Sequence, residues 1–74
     1  MIDRTFRIIN KCIADNDEYG LPVEEGIVHA YEQHVAMRDM LKDDDYNENE
    51  TVLKELDEYY LQRFGKNIPD IFWF

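Results

Sequence analysis

The chain has 74 residues, 17 of them Asp or Glu and 8 Lys or Arg, for a formal net charge of −9; 45% are hydrophobic and 14% aromatic. This length makes one domain, residues 1–74, with little room to sequester an active site, and the apolar content is too high for intrinsic disorder. The sign of the charge argues against direct contact with nucleic acid, which needs Lys and Arg to replace counterions, and against anionic membranes; it favours basic protein partners.

Residues 1–20 carry charges every few positions. That pattern is no secretory signal, and no run approaches the ~20 apolar residues of a membrane span, so the expected compartment is the cytoplasm. Cys12 is the only cysteine, so neither an internal disulfide nor a cysteine-based zinc site can form.

The first predicted helix runs from Ile2 to about Ala14. Ile2, Phe6, Ile9 and Ile13 follow the spacing of one buried face, with Arg4, Arg7 and Lys11 opposite. Residues 15–20, rich in Asp and Asn and ending in Gly20, read as a turn. The second helix starts at Pro22, has Glu24 and Glu25 in its first turn, and continues to about Lys42. Its apolar face is Val23, Ile27, Ala30, Tyr31, His34, Met37 and Leu41; Gly26 permits close packing against the first helix.

Asp43 to Asn47 reads as the second connection, with Asn47 and Glu50 at capping-box spacing. The third helix then runs to about Phe64, buries Val52, Leu53, Leu56, Tyr59, Tyr60 and Phe64, and stops at Gly65. The tail from Ile68 ends in Ile71, Phe72, Trp73 and Phe74, and Pro69 keeps it from extending the helix. The expected fold is all-α: a small antiparallel three-helix bundle with the apolar C-terminal tail packed back on it.

Glu25, Glu32, Asp39 and Asp43 are spaced seven, seven and four residues apart. On one continuous helix they would stay within about 40° of a line, with the sevens about 10.5 Å apart. Asp44, Asp45 and Glu48 extend this anionic rail at one end. Such a rail can occupy a basic groove made for nucleic-acid phosphates. The competing reading is a solvated face that keeps the chain soluble. Residues 1–11 carry three cations and one acid, a net of +2, which leaves −11 on residues 12–74. The basic face of the first helix could therefore meet acids of its own chain or of a second copy in a homodimer.

Asp43, Asp45, Asn47 and Asn49 also match alternate positions of a helix–loop–helix calcium loop. Glu48 stands where the sharp turn needs Gly, and Lys54 where a bidentate Glu is required, so no calcium site is expected. His29 and His34, five apart, point about 140° from each other and do not pair as helical metal ligands. His34 reads as a core or boundary residue bonded to a Tyr or carboxylate. Neither a phosphate loop nor a nucleophile arrangement occurs, and the carboxylate pairs fall on solvent faces, so no enzyme activity, cofactor or metal is expected.

The aromatic C-terminus supplies core or, through Trp73 and Phe74, an exposed anchor. The expected function is that of a small acidic protein-binding protein, an inhibitor or modulator of the kind phages and mobile elements encode. It would dock Glu25, Glu32, Asp39, Asp43, Asp44 and Asp45 on a basic partner, with Trp73 and Phe74 as apolar contacts. The alternative is a homo-oligomeric assembly module held by the aromatic C-terminus.

Overall fold

The computed structural model describes residues 1–69. Three helices pack against one another: α1 (Asp3–Tyr19), α2 (Val23–Ala36) and α3 (Asp43–Phe64), with a 3-10 turn (Arg38–Met40) between α2 and α3. The three-helix bundle read from the sequence is the observed architecture.

α1 is a turn longer than its apolar pattern indicates. It runs through the polar segment 15–19 because Gly20, at φ 72°, provides a left-handed cap whose N–H donates to the Asn16 carbonyl at 2.9 Å. The Asn16 amide then donates to the Leu21 carbonyl at 2.9 Å and draws the chain towards α2. Gly65 ends α3 in the same way, at φ 73° with its N–H on the Leu61 carbonyl at 2.9 Å.

α1 is also rotated from the expected face. Ile9 and Thr5 are buried and Ile2, Ile8 and Cys12 half-buried, whereas Phe6 is 51% and Ile13 40% exposed. Burial thus follows Ile2, Thr5, Ile9 and Cys12, which share a stripe at helical spacing with Thr5 as its polar member. Thr5 can occupy that position because its hydroxyl donates to Glu55 at 2.9 Å.

The larger departure lies between α2 and α3. α2 stops at Ala36, a turn and a half before Lys42, although no Gly or Pro forces it to. The stop comes from the neighbouring helix. Asn49, fully buried on α3, donates its side-chain amide to the His34 carbonyl at 2.9 Å, capturing a backbone acceptor of the last turn of α2. Arg38 in the 3-10 turn is held by Glu50 through two hydrogen bonds, Nε to Oε2 at 2.8 Å and Nη2 to Oε1 at 3.2 Å. Leu41 and Lys42 are extended, and α3 begins at Asp43. Asp43 has φ 54°, a left-handed value that Asp tolerates better than most residues.

The segment 43–47 read as a connection is therefore the first turns of α3. Asp43, Asp44 and Asp45 suit the positive end of its dipole. The Asn47–Glu50 box is not used: Glu50 binds Arg38, and the Asn47 carbonyl accepts from Thr51 at 3.0 Å.

The core is Ile9, Ile27, Val52, Leu56 and Tyr60, with Val23, Ala30, Tyr31, Tyr59 and Phe64 packed around it. Tyr60 and Phe64 stack with centroids 4.8 Å apart. Contacts between α2 and α3 run antiparallel: Glu24 meets Tyr60, His34 meets Asn49, and Arg38 meets Glu50. α1 and α2 approach closely at Gly26, where an added Cβ would lie 2.9 Å from the Cys12 sulfur. Ile68, at the start of the tail, packs on the core. Asp70 to Phe74, which include Trp73 and Phe74, lie outside the described residues.

Candidate functional site

Four of the eight Lys and Arg side chains, Arg4, Lys11, Arg38 and Lys66, are in ion pairs with acids; Arg7, Lys42, Lys54 and Arg63 are in none of those observed among the described residues. Five ion pairs occur among the described residues. Arg4 meets Glu48 at 3.2 Å, Lys11 meets Asp15 at 3.3 Å, Arg38 meets Glu50 at 2.8 Å, Lys66 meets Glu24 at 2.8 Å, and the N-terminal ammonium meets Glu55 at 3.5 Å.

Glu55 is the most heavily bonded of these acids. The Ile2 N–H donates to it at 3.0 Å and the Thr5 hydroxyl at 2.9 Å, and the backbone bond chiefly holds its carboxyl below the usual range. Glu24 accepts from Lys66 and from the Tyr60 hydroxyl at 2.7 Å, and these bonds lower its carboxyl too. Burial, reinforced by Glu24, pushes the Tyr60 phenol up to about 12.

None of the six acids expected to face a partner takes part in these pairs. Glu25, Asp39, Asp43, Asp44 and Asp45 are exposed and Glu32 is half-buried. None of the six has a hydrogen-bond or ion-pair partner among the described residues.

They do not, however, form one line on one helix. Glu25 and Glu32 lie on α2, Asp39 on the 3-10 turn, and Asp43 to Asp45 on the first turn of α3. The break at Ala36 divides the continuous rail into an α2 pair and a cluster at the α2–α3 corner.

The α2 pair borders an open groove of about 640 Å³ between α1 and α2. Its half-buried lining is mostly apolar, from Ile8 and Cys12 on α1 and Gly26, Val28 and Ala30 on α2. Exposed Leu21 and Pro22 line one end. The α1 rim carries the Lys11–Asp15 pair; the α2 rim carries Glu25, His29, Glu32 and Gln33. The groove exists because α1 presents a second stripe, Ile8, Cys12 and Asp15, at spacings of four and three. That spacing is present in the sequence, but the stronger isoleucine pattern beside it masks it.

Burial first, then the Asp15 charge, push the Cys12 thiol up, outweighing the opposing effect of Lys11; this slows its reaction as a thiolate but does not abolish it.

His34 lies at the inner side of this groove and is 7% exposed. Its Nδ1 donates to the Ala30 carbonyl at 2.7 Å, rather than to the Tyr or carboxylate expected, since a carbonyl can only accept. His34 Nε2 and the neighbouring Asn49 Oδ1 are buried without a hydrogen-bond partner among the described residues. The calcium-loop residues are dispersed over a helix: Asn49 faces α2, and Asp43, Asp45 and Asn47 are exposed. No group of three potential metal ligands occurs among the described residues, and no described helix is long and apolar enough to cross a membrane.

Comparison with known proteins gives no matching family model, no similar curated protein and no similar solved structure.

Proposed function

We propose that this chain is a small acidic binding protein that docks on a basic protein, acting as an inhibitor or modulator of the partner's own contacts with nucleic acid. One observation carries the reading. The fold pairs Arg4, Lys11, Arg38, Lys66 and the N-terminal ammonium with Glu48, Asp15, Glu50, Glu24 and Glu55. Among the described residues it leaves Glu25, Glu32, Asp39, Asp43, Asp44 and Asp45 without partners on α2 and the adjoining corner, where Lys42 is the one cation beside them outside these pairs. Concentrated unpaired charge of one sign steers a partner of the other sign and fixes its orientation.

The break in the rail changes the mechanism. A straight row of carboxylates matches a run of phosphates. Two separate clusters match two basic patches, or one patch that wraps a corner.

The test is displacement of a fluorescent DNA duplex from a panel of Arg- and Lys-rich nucleic-acid-binding domains. The intact chain should release the duplex from at least one of them, and a Glu32→Lys/Asp39→Lys variant should do so about tenfold less well with its melting temperature unchanged. Equal activity of the two proteins would reduce these acids to a solvated face.

A further inference from the structure

We propose that the groove between α1 and α2 is the apolar half of the docking surface, and that its occupant is an amphipathic helical segment of the partner with two Lys or Arg residues seven positions apart. This inference rests on the acidic-docking reading above and names the segment that would be bound.

Three observations support it. The groove has a mostly apolar lining flanked by rims of different charge. Glu25 and Glu32 on the α2 rim have no partner among the described residues, whereas Lys11 and Asp15 neutralise each other at 3.3 Å on the α1 rim. A basic flank is therefore attracted to the α2 side alone, which sets the direction in which an incoming helix faces.

Glu25 and Glu32 are also seven residues apart on one helix. They present charges about 10.5 Å apart along its axis, the spacing of residues i and i+7 on a second helix lying alongside. Helix-in-groove recognition has this form, with apolar anchors below and a charged flank above. Burying the anchors supplies the affinity that exposed ion pairs, worth about 0–1 kcal/mol each, do not.

The test uses the full chain and three synthetic helical peptides of about 15 residues. The first carries a leucine stripe and an Arg pair at i and i+7. The second has the leucines replaced by Ser, and the third has the Arg pair replaced by Glu. Fluorescence anisotropy reads affinity, and the rate of maleimide modification of Cys12 reads occupancy of the groove.

The expected result is that the first peptide binds about tenfold or more tighter than either of the others and slows Cys12 modification. Its affinity should fall about tenfold in a Glu25→Lys/Glu32→Lys variant, measured well below its melting temperature because a cation at position 25, in the first turn of α2, opposes the helix dipole. First and second peptides of equal affinity, with Cys12 unprotected, would overturn the groove as the site; the duplex-displacement result above would be unaffected. Leucine-dependent protection of Cys12 that survives the Glu25/Glu32 reversal would overturn the charge matching.

Two further outcomes would assign the groove to another occupant. Cys12 protection that grows with protein concentration without peptide would assign it to a second copy. Quenching of Trp73 by a nitroxide on Cys12, unchanged by peptide and by dilution, would assign it to the chain's own C-terminus.

Discussion

The Asn49 side chain closes the end of α2 from a neighbouring helix by donating to the His34 carbonyl at 2.9 Å. Replacing it with Ala leaves that carbonyl buried and unpaired, so Asn49→Ala should cost about 1–3 kcal/mol in urea unfolding. An unchanged midpoint would mean that something else ends the helix. From sequence, Asn49 is one more polar residue in an acidic stretch; its role depends on a contact between residues 15 positions apart.

The shifted titrations of Glu55, Glu24 and Tyr60 make the stability of the fold depend on pH. The two carboxyls are lowered in the folded chain, so their contribution is present above their ordinary value of 4.5. It is lost as pH falls below that through their folded values. The Tyr60 phenol is raised from 10 to about 12, so its contribution holds below pH 10 and is lost as pH rises from 10 towards about 12. Melting temperature against pH should fall at both ends. Glu55→Gln should flatten the acid limb and Tyr60→Phe the alkaline one.

Among the elements, α3 was the most legible because Val52, Leu53, Leu56 and Tyr60 fall on one dominant stripe, and all four are buried. α1 carries two overlapping stripes, and the one richer in isoleucine is not the one that α2 and α3 cover. The consequence is measurable: Ile9→Ala should cost about 2–5 kcal/mol as a core truncation. Phe6→Ala, at a side chain half in water, should cost well under that. Equal losses would return α1 to the orientation its isoleucines suggest.

The approach of α1 to α2 gives a second test. Gly26→Ala alone should destabilise, because its Cβ would meet the Cys12 sulfur at 2.9 Å. In a Cys12→Ala background only the Cβ of residue 12, at 3.3 Å, is left close to the added methyl, so the same change should cost less, offset by up to about 1 kcal/mol of helix propensity. Additivity of the two substitutions in a double-mutant cycle would show that the helices do not touch there.

For the molecule as a whole, a net charge of −9 on 74 residues is a steady source of self-repulsion. Internal ion pairs relieve part of it, but most of those pairs are exposed and weak; Arg4 and Glu48, for example, are 40% and 51% exposed. Raising sodium chloride from about 10 mM to about 150 mM should therefore raise the melting temperature while weakening any partner complex. The bundle was readable at this scale because helix periodicity and terminal glycines are local signals. The shape of the acidic surface was not, because it depends on where α2 stops, and a tertiary contact decides that.

The most direct test of the docking account compares three proteins of the full chain against a basic domain whose duplex the chain displaces. These are the native chain, Glu32→Lys/Asp39→Lys, and Asp57→Lys/Glu58→Lys, which makes the same change in net charge at exposed α3 residues outside the proposed surface. Affinity is measured across a salt series. The account predicts that the first reversal lowers both affinity and salt dependence, while the second leaves both close to native. Equal losses from the two reversals would show that net charge alone governs binding, and would contradict a docking surface on α2 and its corner.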